Sequence, residues 1–329
     1  MARILFIAPN RIGDAVLATA ALEHALNLYP GAKVTIASGP LPAPLYRATP
    51  GLEAIHTVTK TRSRTGGHWL ALRKALAGSG RFDLAVDLRG TLLTYTLPVG
   101  RRIVHRKSPL LRHKLEELTE LMGAPQPLVP RLRMDEQALA EAATRLGTSA
   151  APLLALGPGS NFIGKQWPPE RFAIVARRLA TGGSPLAGAR VALLGAPEDR
   201  AANQEIAESL ANDGVPVIDL TAAVDLLACA AVLSRATLFI GNDSGLMHMA
   251  AASGIATLGL FGPSNELVYG PAGPRARAIR GRAYAEIMEG KYMPSITYSL
   301  MTDLSVDAVE QAALSLLTAG GLNAAGGAP

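Results

Sequence analysis

Residues 236–264, ATLFIGNDSGLMHMAAASGIATLGLFGPS, decide the architecture of this chain. The apolar run Thr237–Ile240 is short and stops at Gly241-Asn242, which suits a strand buried on both faces of a parallel sheet. The turn Asn242-Asp243-Ser244-Gly245 then sets a carboxylate, a hydroxyl and a glycine just before a helix of small residues. Free N–H groups at a helix start, a glycine that admits close approach to the backbone, and the Ser244 and His248 side chains describe a cradle for an anion such as phosphate. A plainer reading is that Asp243 or Ser244 N-caps the helix and His248 is an interior histidine with its bonds satisfied. Ile255–Phe261 then returns as a second strand, and Gly262-Pro263-Ser264 brings a second turn to the same sheet edge.

The segment GNDSGLMHMAAASGIATLGLFGPS resembles glycosyltransferase family 9, the heptosyltransferases of lipopolysaccharide core assembly. The resemblance implies that the loop carrying Asp243, Ser244, Gly245, Leu246 and His248 holds the diphosphate of ADP-heptose. It extends over residues 3–35, 83–90 and most of 152–270, with a weaker echo in MTDLSVDAVEQAALSLL near the end. Gly281–Ser299 departs from the family pattern.

With 329 residues, 49% hydrophobic and 18% charged, the chain is long enough for two domains and has no disordered bias. No apolar run reaches the roughly 20 residues needed to span a bilayer, and Arg3–Ala8 is strand-like rather than a signal peptide, so cytoplasmic residence is expected. The single cysteine, Cys229, can form no internal disulfide and reads as a small packed residue. The formal charge of +6 is uneven. Residues 1–150 carry 20 Lys and Arg against 11 Asp and Glu, a net +9, while residues 151–329 carry −3. The basic residues gather in Lys60–Arg64 and Arg101–Lys114, a field suited to an anionic partner such as lipid headgroups or a phosphorylated, carboxylated glycolipid. Nucleic acid is disfavoured, because no helix-turn-helix, zinc or aromatic stacking pattern accompanies the charge.

Strand and helix patterns alternate along the chain: strand Arg3–Ala8, helix Asp14–Tyr29, strands Lys33–Ala37, Ile55–Val58 and Leu84–Asp87, and a basic helix near His68–Leu76. After the proline-rich stretch 123–135 and a helix over Asp135–Leu146, the alternation restarts at Leu153–Leu156. The expected fold is α/β with two doubly wound Rossmann-like domains, 1–150 and 151–329, facing a cleft. The resemblance makes this GT-B architecture, with an N-terminal acceptor domain and a C-terminal nucleotide-sugar domain, the last helix, 305–318, able to pack back on the first. Neither half opens with G-x-G-x-x-G, which disfavours a dinucleotide-dependent dehydrogenase.

Three further loops carry candidate chemistry. Gly159–Lys165 fits the first seven positions of a phosphate-binding P-loop, but Gln166-Trp167-Pro168-Pro169 follow where Ser or Thr and an immediate helix are needed. The match to the family's lysine-bearing loop implies that Lys165 neutralises the departing diphosphate, with Ser160 and Asn161 as nearby donors. Asp14, after Gly13, reads by itself as a first-turn carboxylate favoured by the helix dipole. The family's opening implies instead a general base for the acceptor hydroxyl. The family often has small or hydroxyl residues before Gly-Asp, where this chain has Asn10-Arg11-Ile12. The resemblance also implies that a carboxylate in the turn after Leu193-Leu194 binds the donor ribose, Glu198 with Asp199 as close rival. No D-x-D triplet and no Cys/His cluster with metal spacing occurs, so no metal and no cofactor is expected.

The sequence reading is thus an inverting, metal-independent transferase moving a heptose or related sugar from an ADP-sugar to a lipopolysaccharide inner-core acceptor of the lipid A/Kdo type. Asp14 and Lys165 are the catalytic residues, and Gly13, Arg11, Arg62, Arg64, Arg101 and Arg102 face the acceptor. Peripheral contact with the cytoplasmic face of the inner membrane goes with that role. A nucleotide-sugar binding protein without turnover, or a nucleotide-sugar epimerase, would keep the same anion site.

Overall fold

The computed structural model describes residues 1–59, 67–106, 110–289 and 295–324, with the side chains of 319–324 left aside. The chain divides into two units, Met1–Asp135 and Glu136–Pro329.

The first unit runs β1 (Arg3–Ile7), α1 (Ile12–Leu28), β2 (Lys33–Ser38), β3 (Leu52–Thr57), α2 (Gly67–Leu76), β4 (Phe82–Asp87), β5 (Val99–Val104) and α3 (Lys114–Met122). Its five parallel strands lie in the order β3-β2-β1-β4-β5. In β1, Ile4 through Ile7 have no exposed surface, and α1 buries nearly every apolar residue of its first three turns. Each such side chain contributes about 1.5–3 kcal/mol, which is why these two apolar runs form the centre of the unit. Tyr46, itself buried, donates its hydroxyl to Ala15 O at 3.1 Å and pins the start of α1, while burial raises its phenol pKa.

The second unit runs α4 (Glu136–Leu146), β6 (Leu153–Gly157), α5 (Pro169–Thr181), β7 (Arg190–Leu193), α6 (Arg200–Asn212), β8 (Val217–Asp219), α7 (Leu226–Leu233), β9 (Leu238–Asn242), α8 (Gly245–Ala252), β10 (Ala256–Phe261), α9 (Glu266–Tyr269), β11 (Ala276–Arg280), α10 (Tyr284–Met288) and α11 (Val306–Ala324). Its six parallel strands lie in the order β11-β10-β9-β6-β7-β8. Every residue of β6, β9 and β10 is buried, as their continuous apolar runs require of central parallel strands.

The boundary expected at residue 150 falls earlier. Helix α4 packs on α7 of the second unit, with Ala138, Ala142 and Leu146 as its buried stripe, so the division follows Asp135. Helix α11 packs on α5 and on β9, β10 and β11, and its Val309, Ala312 and Ala313 belong to the second unit's own core. Asp225 is the cap of α7, accepting from Leu227 N at 2.9 Å and Ala228 N at 2.8 Å. Cys229 is buried in α7, its thiol pushed up to about 12 by burial and then by the Asp225 charge.

Candidate active site

In the second sheet the chain winds outward from β6 through β7 to β8, then crosses back to place β9 on the other side of β6. The loops after β6 and β9 therefore part in opposite directions, and their divergence opens the crevice where open α/β sheets bind ligands. The sequence fits this point closely. Gly157 and Gly241 are register partners on the two strands, and the Phe239 ring lies across both. A Cβ at either position would sit 2.7 Å or 2.5 Å from Phe239 Cζ, so only glycine allows the floor to close; Leu246 packs over the same spot.

Three connections hold the two loops together. Lys165 Nζ donates to Asp243 Oδ2 at 2.6 Å, with the lysine about one-fifth exposed and the aspartate nearly buried. Asn242 Nδ2 donates to Pro158 O at 2.5 Å, and Asn242 Oδ1 accepts from Trp167 N at 3.1 Å. Trp167 is fully buried, edge-on to Phe172 at 5.0 Å, with its indole N–H on Leu304 O at 2.9 Å. The P-loop alternative fails structurally as well: Ile163–Lys165 is a single 3-10 turn, and the next helix waits until Pro169.

Ser244 occupies the N-cap of α8 in extended conformation, yet its side chain makes no capping bond. Its Oγ is buried without a hydrogen-bond partner, and so are Ser160 Oγ and Ser264 Oγ on the loops after β6 and β10. Asp243 caps nothing either, since its carboxylate holds Lys165 and its N–H bonds Leu260 O at 3.1 Å. The plainer capping interpretation is thereby replaced. Three buried hydroxyls that satisfy no protein group, beside a lysine and a helix start, form a surface that calls for an oxygen-rich anion. His248 lies one turn into α8, 5% exposed. Asn161 is exposed at the rim.

Glu198 is exposed, whereas Asp199 is half-buried, accepts from Ala196 N at 2.8 Å and packs on Gly159, where a Cβ would lie 2.2 Å from its carboxylate. Burial pushes the Asp199 carboxyl above its ordinary range; the Ala196 amide opposes this and the Glu198 charge adds to it.

The first unit has its own divergence, between β1 and β4. Asp14 stands half-buried in the first turn of α1 after β1, beside half-buried Gly13 and exposed Arg11. Arg101 is exposed on edge strand β5. Arg102 is otherwise engaged than expected: its guanidinium donates to Thr94 O at 2.9 Å and Leu97 O at 3.0 Å and lies 5.8 Å over the Tyr95 ring, so it braces the turn before β5. Arg62 and Arg64 fall outside the described residues. Arg89, two residues past the end of β4, was not singled out from the sequence. The signal was present in the short buried run ending at Asp87, followed by a cation at the sheet edge.

The family model described as glycosyltransferase family 9 (heptosyltransferase) matches residues 88–294, well over half of the chain. The chain belongs to glycosyltransferase family 9. This family 9 enzyme is 25% identical over 361 residues to lipooligosaccharide heptosyltransferase 2 of Haemophilus ducreyi, covering 96% of this chain and 99% of that one. Its fold matches a glycosyl transferase family 9 structure from Veillonella parvula with TM-score 0.80 and 22% identity, over 97% of this chain and 98% of that one. The E. coli ADP-heptose lipopolysaccharide heptosyltransferase II structure matches with TM-score 0.76 and 21% identity, over 97% and 99%. The two doubly wound units of the family 9 enzyme are therefore the domains of a GT-B glycosyltransferase. Among the described residues no helix is long and apolar enough to cross a membrane.

Proposed function

We propose that this family 9 enzyme transfers a heptose or closely related sugar from an ADP-sugar to an anionic inner-core glycolipid of the lipid A/Kdo type, with inversion at the anomeric carbon. The observation that carries the proposal is the junction of the loops after β6 and β9, where Lys165 meets Asp243 just before the start of α8 and the Ser160 and Ser244 hydroxyls are buried without partners among the described residues. The second domain, 136–329 by its packing, holds the donor, and the first holds the acceptor. Relatives named for ADP-heptose and for lipopolysaccharide support the choice of substrates.

In this mechanism Lys165, His248 and the N–H groups of Ser244 and Gly245 meet the charge that builds on the leaving diphosphate, each donor contributing about 3–4 kcal/mol to the transition state. Asp243 orients Lys165 rather than touching phosphate, because a second anion against the diphosphate would repel it. Leu246 shapes the floor, Ser160 and Asn161 reach the phosphates or ribose, and Glu198 or Asp199 takes the ribose hydroxyls. Asp14 removes the proton of the attacking hydroxyl, with Gly13 and Arg11 beside the acceptor. The leaving group is stabilised by protein groups without a metal ion, and the enzyme works from the cytoplasmic face of the inner membrane, reaching its lipid-linked acceptor through basic residues including Arg62, Arg64 and Arg101.

The test incubates the enzyme with ADP-heptose and heptose-free Kdo-lipid A, with and without EDTA. Acceptor-dependent ADP release and a mass gain of one heptose, unchanged by EDTA, are expected. Donor isomerised without acceptor would instead indicate an epimerase. Donor bound without turnover would indicate a binding protein.

A further inference from the structure

The turn after β4 contains a cation that forms no ion pair among the described residues. Asp87, fully buried at the end of β4, accepts from Arg89 N at 2.9 Å, Thr91 N at 2.9 Å and Thr91 Oγ1 at 2.6 Å. Its two oxygens are thus committed to the turn, and among the described residues no carboxylate forms an ion pair with the Arg89 guanidinium. That guanidinium lies 4.6 Å over the ring of Trp69, which packs against the first domain's core under Leu72 and Leu76. Among the described residues Arg89 Nη1 is buried without a hydrogen-bond partner, and so is Nδ1 of His68, whose ring is 5.0 Å from that of Trp69.

An arginine does not escape burial by losing its proton, so a desolvated N–H of this kind requires an acceptor. Burial holds Arg89 below its ordinary pKa, and the Asp87 charge only partly offsets this. The aromatic ring fixes the planar fork while leaving its donors unused, an arrangement suited to a carboxylate or phosphate taken by two parallel bonds. Its position also matters. Leu88 N bonds Ile7 O at 3.0 Å, so Arg89 leaves the sheet beside the end of β1, whose following helix carries Asp14. The crevice at a change of winding direction is where such sheets receive ligands.

We infer that Arg89, held on Trp69, is the residue that receives one acidic group, carboxylate or phosphate, of the acceptor. The inference rests on the proposed transfer to an anionic glycolipid, and it names the group of this chain that reads the acceptor's charge.

The experiment measures binding and turnover separately. A de-acylated Kdo-bearing glucosamine disaccharide bisphosphate is titrated into wild type, Arg89→Gln and Arg89→Lys by calorimetry, alongside its carboxyl-reduced and its dephosphorylated forms. ADP-heptose affinity and thermal midpoint are recorded for each protein. Arg89→Gln is expected to weaken the intact probe by 10- to 100-fold and Arg89→Lys by less. ADP-heptose affinity and the midpoint should stay unchanged, since the variant removes an unsatisfied group. One altered probe should bind wild type as weakly as the intact probe binds Arg89→Gln, with no further loss when the two changes are combined; which probe does so tells carboxylate from phosphate. Equal affinity of wild type and Arg89→Gln for the intact probe overturns the inference, as does a loss matched by a fall in midpoint or by weaker donor binding. If wild type binds the probe through Arg89 yet transfers nothing to the acylated acceptor, the inference stands and the transferase reading falls.

Discussion

Lys165 Nζ and Asp243 Oδ2 stand 2.6 Å apart across 78 positions of sequence, joining the loops that leave β6 and β9 in opposite directions. The pair bridges the divergence, and in the proposed function the lysine meets the diphosphate. Lys165→Ala is expected to lower kcat by about 10²- to 10³-fold and to weaken ADP-sugar binding, as loss of a leaving-group donor does. Asp243→Asn, which keeps the shape but releases the lysine, should lose about tenfold. Steady-state kinetics with calorimetric donor binding checks both, and an Asp243→Asn loss exceeding that of Lys165→Ala would assign the aspartate a direct role.

Trp167 joins the β6 loop to the segment before α11, and its indole fills the core between them. Trp167→Ala should destabilise the protein by about 3–5 kcal/mol, measured by urea unfolding. Trp167→Phe should lose about 1–2 kcal/mol, because Arg171 Nη1 also donates to Leu304 O at 2.8 Å and keeps that carbonyl satisfied.

Ala222 is the non-glycine residue with positive φ among the described residues, at +56°, and its N–H bonds Gly195 O at 2.9 Å. A left-handed alanine costs about 1–2 kcal/mol, and glycine returns about 0.5–1 of that to chain entropy. Ala222→Gly should therefore raise stability by up to about 1 kcal/mol, while Ala222→Val should lower it by about 1–3 kcal/mol. Thermal unfolding of the two variants reads opposite signs if the conformation is as described.

How far the sequence could be read depended on where each strand lies. Central strands β1, β6, β9 and β10 are unbroken apolar runs and were legible at once. Edge strands β5, VGRRIV, and β11, ARAIR, carry two arginines each because one rim is open to solvent, so β5 was read as part of a basic patch and β11 passed unseen. The Asp243–His248 loop was legible because its residue types have one spacing, but its hydrogen bonds were not: the partner of the Asp243 carboxylate is Lys165, 78 residues away. Arg102 looked like a surface cation because nothing local shows that Thr94 O and Leu97 O fold back to meet it.

Glu117 accepts from His105 Nε2 at 2.8 Å and Lys114 Nζ at 2.7 Å and is almost buried. Burial alone would raise its pKa, but the hydrogen bonds from Lys114 and His105, with their charges, outweigh it and set the carboxyl below its ordinary 4.5. A lowered folded pKa stabilises above the unfolded value, and that contribution is lost as pH falls from about 4.5 through the folded pKa. Glu117→Gln should flatten the stability curve below that pH and lower stability at neutral pH, seen in urea midpoints taken from pH 7 to pH 3.

The central claim is that Asp14 of the first domain works as the base for the acceptor hydroxyl that attacks a sugar whose diphosphate is held by the second. The direct measurement is kcat for transfer to Kdo-lipid A together with the ADP-heptose Kd, in wild type and Asp14→Asn. Loss of at least about 10² in kcat with donor affinity unchanged is the predicted result. Turnover near the wild-type rate, or a donor Kd that weakens in step with kcat, would contradict it.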